Sequence, residues 1–362
     1  MAATRDDVLK VLAQVIDPAS GKDVVAAGLI QGLTVRDGNV GFAIEVPAAR
    51  GPQSEPLRKA AEDAVAKLPG VFSVTAVLTA HNEPPQARRA HAHAPQPSGG
   101  IPGVAAIIAV ASGKGGVGKS TVAVNLALGL SRLGLKVGLL DADIYGPSVP
   151  RLLDIRHKPE SDGKKLKPIE KLGIKAMSIG FMVREDEAMI WRGPMVQSAL
   201  TQMMNDVLWA PLDVLVIDMP PGTGDAQLTI AQRVPLKGAV IVSTPQDIAL
   251  IDARKGVAMF NKTHVPVLGV VENMSTFVCE NCGHETHIFG HGGAKAEAEK
   301  MGVPFLGEIP LMPIVRQTSD AGTPIVDYNP TSAEARAFMA VAEKVAKSIQ
   351  APARAAPRIV IE

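Results

Sequence analysis

A glycine-rich segment between an apolar run and a helical run constrains this chain more than any other feature. Residues 113–121 read Gly-Lys-Gly-Gly-Val-Gly-Lys-Ser-Thr, after the apolar run 106–111 and before a helical pattern over 122–132. That order predicts a strand, a tight loop and a helix. Glycines in such a loop let successive backbone N–H groups surround phosphate oxygens at the positive end of the helix dipole. A glycine turn alone would require neither Lys119 nor Ser120, so the segment predicts a nucleotide-phosphate site.

The charged and hydroxyl groups of this loop suit a nucleotide that carries magnesium. Lys119 is expected to reach the β- and γ-phosphates, and the Ser120 hydroxyl is expected to bind Mg²⁺. The residues predicted to contact the nucleotide are Gly113, Lys114, Gly115, Gly116, Val117, Gly118, Lys119, Ser120 and Thr121.

Acidic residues stand at the ends of two further apolar runs. Asp218 follows the run 214–217, and its carboxylate is expected at the sheet edge where parallel sheets bind ligands, as a group that supports Mg²⁺. Asp141-Ala142-Asp143 follows the run 137–140, and one of its carboxylates would orient an attacking water. For each carboxylate the plainer alternative is a helix cap or a lysine partner.

Short aliphatic runs alternate with helical stretches after residue 103, which is typical of a parallel sheet covered on both faces. The sequence therefore predicts an α/β fold with a doubly wound, mainly parallel sheet over residues 104–350. The predicted strands are 106–111, 137–141, 214–218, 239–243 and 267–271. The Lys-rich stretch 151–184 is expected to be an insertion between sheet units.

Residues 1–81 have a different pattern that predicts a small α+β domain. The predicted elements are a helix from Val8 to Ile16, a hairpin of 29–35 and 40–46 around Asp37-Gly38, a helix over 55–68 and a strand over 71–78. Proline, glycine and alanine dominate 82–103, which is predicted to be a linker, and 351–362 is predicted to be a flexible tail.

Charge and composition argue against several partners. The 37 Lys and Arg residues balance 36 Asp and Glu, so the net charge of +1 provides no field for nucleic acid or anionic lipid. Trp, Tyr and Phe number 2, 2 and 8, too few for base-stacking platforms. The longest apolar run, 104–111, is too short to span a bilayer, and Arg5, Asp6 and Asp7 stand where an export signal would be apolar. We expect a cytoplasmic protein that binds neither nucleic acid nor membrane.

Lys114 is a second lysine, directly after the first glycine of the phosphate loop. This arrangement resembles the deviant P-loop of the MinD/ParA class of ATPases, in which the extra lysine reaches the nucleotide of a partner subunit. The resemblance implies a homodimer whose formation is coupled to ATP binding. The plainer alternative is a surface lysine.

The chain has 2 cysteines, Cys279 and Cys282, in one C-x-x-C motif. Such a turn suits soft metal ions or iron–sulfur clusters, but two thiolates cannot complete a four-coordinate site. His284 and His287 would complete a local zinc site, whereas the same cysteines of a second chain would complete a site for a [4Fe–4S] cluster. A redox dithiol is a third alternative. The dimer implied by Lys114 favours the shared cluster.

Longer motifs make the resemblance more specific. They are the phosphate loop, Asp-Ala-Asp-Ile-Tyr-Gly-Pro-Ser at 141–148, Trp-Arg-Gly-Pro at 191–194, and the stretches 218–225, 271–282, 288–290 and 302–310. Over 104–350 the chain closely resembles the Mrp/ApbC iron–sulfur cluster carrier ATPases. The resemblance implies an ATP hydrolase that holds a [4Fe–4S] cluster between paired Cys279 and Cys282 and delivers it to apo-proteins.

The resemblance also implies a role for individual residues. These roles are phosphate binding by Lys119, Mg²⁺ binding by Ser120, action across the dimer by Lys114, water positioning by Asp143, Mg²⁺ support through water by Asp218, and adenine contact by Asn273.

The first domain resembles the MIP18-type module through residues 16–18 and 24–33. Relatives of that module that handle metal often carry a cysteine near the second helix, where this chain has Arg-Gly-Pro-Gln-Ser-Glu at 50–55. Protein docking is therefore the expected role of this domain. Two alternatives for the whole chain are a positioning ATPase that cycles on DNA or membrane, and an ATPase with a structural zinc knuckle that requires His284 and His287.

Overall fold

Two compact units, Met1–His93 and Ala94–Glu362, make up the computed structural model of the chain. The structure describes residues 4–18, 20–36, 39–47, 54–71, 73–81, 100–163, 165–183 and 193–350. Among the helices in these ranges, none combines the length and the hydropathy that crossing a bilayer requires.

The first unit is a three-stranded sheet with two helices. Its elements are α1 (Arg5–Leu12), β1 (Ile30–Arg36), β2 (Asn39–Pro47), α2 (Glu55–Ala66) and β3 (Ser73–His81). β1 and β2 are antiparallel as the hairpin prediction requires, and β3 adds to β2 in parallel. The turn residues Asp37 and Gly38 lie outside the described residues. The core consists of apolar side chains of both helices and the sheet, among them Val8, Leu12, Phe42, Ile44, Leu57 and Val65.

The first helix begins and ends earlier in the sequence than predicted. It begins with a capping box, in which Thr4 accepts the N–H of Asp7 and the Asp7 carboxylate accepts the N–H of Thr4. It ends at Leu12, and the chain then turns so that Ile16 pairs with Asp23 in an isolated bridge. Ile16 is 55% exposed, so the apolar spacing that continues to this residue does not extend the buried face of the helix.

The second unit contains the large sheet. The strands of this unit are β4 (Val104–Ala111), β5 (Val137–Asp141), β6 (Ile169–Lys171), β7 (Ile174–Ser178), β8 (Leu212–Asp218), β9 (Gly238–Ser243), β10 (Val267–Asn273), β11 (Phe277–Val278), β12 (Glu285–Thr286) and β13 (Phe305–Ile309). β11 and β12 form a separate two-stranded sheet. Its helices are α3 (Lys119–Arg132), α4 (Val149–Leu152), α5 (Gly193–Asn205), α6 (Asp225–Arg233), α7 (Asp247–Lys262), α8 (Gly293–Met301), α9 (Pro313–Asp320), α10 (Ile325–Tyr328) and α11 (Ala333–Gln350).

The sheet is mainly parallel, as predicted. The order of its 8 strands is β13-β10-β9-β4-β8-β5-β7-β6, and only β6 runs antiparallel to its neighbour. β6 and β7 come from the stretch 151–184, so the predicted insertion is wrong in part, because that stretch extends the sheet. The reason is that β7 places buried Ala176 and Met177 in register with Leu139 and Leu140 of β5.

The crossover connections run in opposite directions on the two sides of β4, and the predicted phosphate site lies at the carboxyl end of this strand. The connection from β4 through α3 leads to β5 on one side, whereas the connection from β9 through α7 leads to β10 on the other. Since parallel crossovers are right-handed, α3 and α7 cover opposite faces of the sheet. The strands between them are almost entirely buried and aliphatic. Ligands of such sheets bind at the carboxyl ends of strands where the crossovers diverge, and this is where β4 ends.

Candidate functional site

The phosphate loop, residues 112–118, connects β4 to the first residue of α3, Lys119. Gly116 and Gly118 have φ angles of +82° and +80°, the left-handed region that glycine adopts most easily. A Cβ on Gly118 would collide with the amide of Asn273, and one on Gly113 would collide with the backbone of Asp252. The glycines are therefore required by close approach as well as by conformation. The loop borders a cavity of about 280 Å³.

Lys119 and Asp218 form a buried ion pair at the base of this cavity. Their side chains are 6% and 0% exposed, and Lys119 Nζ lies 2.6 Å from Asp218 Oδ1. Lys119 Nζ also donates to the Ser120 hydroxyl over 3.2 Å. Asp218 Oδ2 is a buried oxygen without a hydrogen-bond partner among the described residues. A carboxylate oxygen with free lone pairs beside a hydroxyl is a donor set that fits Mg²⁺ and its bound waters.

Asp141 and Asp143 follow β5 but have different surroundings. Asp141 is fully buried and accepts hydrogen bonds from the N–H groups of Asp143 and Val149 and from the Ser178 hydroxyl. Burial first, and then the negative charge of Asp218, raises the pKa of Asp141 to about 7. Asp143 is half-buried and borders the cavity, and its pKa is also raised, mainly by burial. Asp141 thus organises the segment, whereas Asp143 faces the cavity.

Asn273 and Glu272, at the end of β10, contact two separate segments. Asn273 is 7% exposed, and its Nδ2 donates to the Val117 carbonyl over 2.8 Å. The Glu272 carboxylate accepts the N–H groups of Gly292 and Ala294 over 2.9 and 2.7 Å, at the start of α8. The end of one strand therefore holds both the phosphate loop and α8.

The segment after β8 is also tied to the phosphate loop. The N–H of Gly222 donates to the Ser112 carbonyl over 2.9 Å, and buried Gln227 donates to the carbonyl groups of Pro220 and Pro221. Lys114 is exposed and borders the cavity, and its carbonyl accepts the Ser112 hydroxyl. Among the described residues, the ammonium of Lys114 has no ion pair like that of Lys119 with Asp218.

Cys279 and Cys282 lie in the loop between β11 and β12, a short antiparallel pair that we call the cysteine hairpin, residues 277–286. The N–H of Cys279 donates to the His284 carbonyl, and the N–H of Gly283 donates to the Cys279 carbonyl, over 3.0 and 2.8 Å. The backbone N–H of Cys282, followed by that of Asn281, lowers the pKa of Cys279. Both thiols are free, Cys279 half-buried and Cys282 exposed.

The histidines near this hairpin have other neighbours. His287 Nδ1 lies 3.2 Å from the Thr276 hydroxyl, and the His287 ring stacks on His291 with centroids 4.4 Å apart. Within the part of the chain that the structure describes, Glu272, His291 and Glu308 form the only trio of His, Cys, Asp or Glu whose ligand atoms lie within 4.8 Å of one another. Among the described residues, Cys279 and Cys282 belong to no such trio with His284 or His287.

Comparison with known families identifies the chain. A family model for the NUBPL iron-transfer P-loop NTPases matches residues 103–346, and a model for an iron–sulfur cluster assembly protein matches residues 5–77. The chain belongs to the NUBPL iron-transfer P-loop NTPase family. Membership confirms the predicted resemblance and the predicted P-loop fold, which follows a small first domain in the sequence. It also confirms the prediction that the chain is an ATP hydrolase.

Relatives of this family match most of the chain. The iron–sulfur cluster carrier protein of Haemophilus influenzae is 43% identical over 358 residues, which cover 96% of this chain and 93% of that protein. The Escherichia coli K12 protein of the same name is 56% identical over 252 residues, 69% of this chain and 68% of the relative. A nucleotide-binding protein from Archaeoglobus fulgidus, solved with ADP and with Co, is 42% identical with a TM-score of 0.57, covering 64% of this chain and 91% of that one.

Sequence reasoning missed the partners of the NTPase site. Asn273 was predicted to contact adenine, but β10 was predicted to end at Val271. That end point left Glu272 and Asn273 outside the sheet and missed their contacts with α8 and with the phosphate loop. The signal that would have found them is the polar pair at the carboxyl end of a buried parallel strand. The role of Ser178 had no local signal, because its contact with Asp141 spans 37 positions. Gln227 was missed although its contacts with Pro220 and Pro221 span only 7 and 6 positions.

Proposed function

We propose that this NTPase carries a [4Fe–4S] cluster as its cargo, held between two copies of the chain by Cys279 and Cys282 of each, and transfers it to apo-proteins. The observation that carries the proposal is the pair of cysteines without a third ligand nearby among the described residues. A cluster of this type is held by four thiolates, which two chains supply. The lowered pKa of Cys279 supports ligation, since the thiolate is the metal-binding form. Reduced thiols persist in the cytoplasm, where we place this chemistry.

ATP with Mg²⁺ is the ligand that the phosphate loop fits. Residues that would hold the nucleotide are Gly113, Lys114, Gly115, Gly116, Val117, Gly118, Lys119, Ser120, Thr121 and Asn273. Ser120 and Asp218 would hold Mg²⁺, which neutralises phosphate charge when bound. Lys119 and Asp218 neutralise each other in the ion pair described above. They can separate without leaving a bare buried charge when phosphate and cation arrive together, so the site favours the magnesium complex over free nucleotide.

Lys114, Asp143 and the first domain complete the proposal. Exposed Lys114 would contact the nucleotide of the second chain, which couples dimer formation to ATP binding. Asp143, at the cavity, would orient the attacking water. In Asn273 one N–H of the amide donates to the phosphate loop, which leaves Oδ1 and the second N–H for an adenine contact. The first domain would dock apo-proteins or a cluster donor.

Anaerobic reconstitution with iron and sulfide tests the shared cluster. Wild type is expected to form a dimer with about four irons per two chains and the broad visible absorption of a cluster. Cys279→Ala/Cys282→Ala is expected to lose both, whereas His284→Ala/His287→Ala, the matched control in the same segment, is expected to retain them. Stoichiometric zinc in a monomer without cluster uptake would overturn the proposal and favour the zinc knuckle.

Transfer is tested separately with the loaded dimer. Mixing it with an apo-enzyme that depends on a [4Fe–4S] cluster should restore that enzyme's activity while the dimer's absorption falls. A cluster that forms but never leaves the dimer would contradict the carrier role. The proposed binding of the cluster by Cys279 and Cys282 would remain valid.

A further inference from the structure

Two carboxylates lie side by side at the edge of the sheet, on residues that belong neither to the phosphate loop nor to the cysteine hairpin. Glu272 of β10 and Glu308 of β13 are register partners on neighbouring parallel strands. Register partners project to the same face of a sheet, and like charges placed there are unfavourable unless a cation lies between them. The pair therefore indicates a position for positive charge.

His291 brings a nitrogen ligand to the same position. Its Nε2 lies 3.1 Å from Glu308 Oε2, and ligand atoms of Glu272, His291 and Glu308 all lie within 4.8 Å of one another. Glu272 is fully buried, whereas the side chains of His291 and Glu308 are 45% and 34% exposed. The trio is closed on its inner side and open to solvent on its outer side.

The three side chains come from three segments that contact one another: Glu272 lies on β10, Glu308 lies on the paired strand β13, and His291 directly precedes Gly292, whose N–H donates to Glu272. Each Glu272 oxygen accepts one backbone N–H from the start of α8, which orients the carboxylate and leaves each oxygen a further lone pair. His291 is held by its stack with His287. A ligand set oriented in advance in this way requires little rearrangement to receive an ion.

We propose that Glu272, His291 and Glu308 bind one divalent first-row transition metal ion such as Fe²⁺, Zn²⁺ or Co²⁺. Two carboxylates neutralise the charge of the ion, and the imidazole nitrogen favours these metals over Mg²⁺ and Ca²⁺, which take oxygen ligands. The open side admits a water or another exchangeable ligand. This site goes beyond the proposed carrier function, because it uses neither the cysteines nor the nucleotide.

Co²⁺ titration of the full chain tests the site, with Cys279→Ser/Cys282→Ser as the background and without nucleotide or Mg²⁺. Equilibrium dialysis is expected to give one Co²⁺ per chain, with visible ligand-field absorption and without the strong near-ultraviolet band of thiolate ligation. In that background His291→Ala and Glu308→Gln should each weaken binding about tenfold or more. His284→Ala, a nearby exposed histidine outside the trio, is the matched control and should leave binding unchanged.

The absence of stoichiometric Co²⁺, or binding that neither His291→Ala nor Glu308→Gln weakens, would overturn the proposal. Both substitutions are at partly exposed side chains, and thermal unfolding by circular dichroism checks that each variant folds. His291→Ala with intact cysteines should still assemble the cluster, so failure of this site and failure of the carrier proposal are distinguishable.

Discussion

Lys119 Nζ lies 2.6 Å from Asp218 Oδ1, and the two side chains are 6% and 0% exposed. Asp141 is a second buried carboxylate close enough for Asp218 to raise its pKa. One ammonium therefore stabilises two carboxylates. Removal of the ammonium and removal of one carboxylate should consequently have different effects on the free energy of unfolding.

Lys119→Met is expected to lower the free energy of unfolding by about 3–5 kcal/mol, because it leaves buried carboxylates without a cation. Asp218→Asn should cost less, since it removes the repulsion between Asp218 and Asp141 together with the ion pair. Urea denaturation at pH 7 measures both. Lys255→Met, which breaks an exposed pair with Asp252, is the control and should cost less than about 1 kcal/mol. Equal losses for the two buried variants would contradict this account.

The contribution of Asp141 to the free energy of unfolding should decrease as the pH rises from about 4 to about 7. The pKa of Asp141 is raised from 3.8 to about 7 on folding, so the folded chain binds this proton more tightly than the unfolded chain. The resulting stabilisation is complete below the unfolded pKa and is lost as the pH rises through the folded pKa. In Asp218→Asn the loss should occur at lower pH, because one cause of the shift is gone. Urea midpoints across this range measure it, and identical pH profiles would argue against the Asp218 effect.

Asn273→Ala is expected to weaken binding of Mg-ADP about 5–30-fold. The substitution leaves the buried Val117 carbonyl without its donor, at a cost of about 1–2 kcal/mol in holding the phosphate loop. Isothermal titration calorimetry measures the affinity, and Asn261→Ala on the exposed side of α7 is the control. A loss of stability with unchanged ADP affinity would show that the contact serves the fold alone.

Lys114→Ala should reduce ATP hydrolysis about tenfold or more and abolish the ATP-dependent dimer. ADP affinity of the monomer should change by less than about twofold, because the ammonium of Lys114 would act on the other chain. Light scattering and phosphate release provide the two measurements, with Lys262→Ala as a control. If monomer affinity falls with activity, Lys114 binds its own nucleotide.

Cys279 should be alkylated by iodoacetamide at lower pH than a free thiol. Backbone N–H groups of Cys282 and Asn281 stabilise its thiolate and lower its pKa. The rate measured against pH in Cys282→Ser, which retains both N–H groups, is expected to have its midpoint below that of a small-molecule thiol. A midpoint at or above the free-thiol value would contradict the hydrogen bonding described.

The sequence predicted the features that depend on residues close together in the chain, namely the phosphate site and most of the buried strands. The glycines, the lysine and the hydroxyl group of the phosphate site lie within nine consecutive positions, 113–121, and the structure places them directly after β4. The buried strands were also predictable, because parallel strands covered on both faces are continuous apolar runs. β5 has the predicted bounds, and the others differ by only a few residues at their ends.

What the sequence did not predict depends on distant partners. Lys119 and Asp218 are 99 positions apart, and Asn273 is 156 positions from Val117. Glu272 and Glu308 become neighbours only through the register of β10 with β13, a strand without its own place in the sequence prediction. Neither periodicity nor motif spacing contains this information, since it arises when the sheet assembles.

The end of β10 contacts two segments that are far apart in the sequence. Asn273 contacts the phosphate loop and Glu272 contacts the start of α8, just beyond the cysteine hairpin. Two neighbouring residues of one strand therefore hold both the phosphate loop and the segment that follows Cys279 and Cys282. A substitution at this strand end would disturb two segments that are far apart in the sequence.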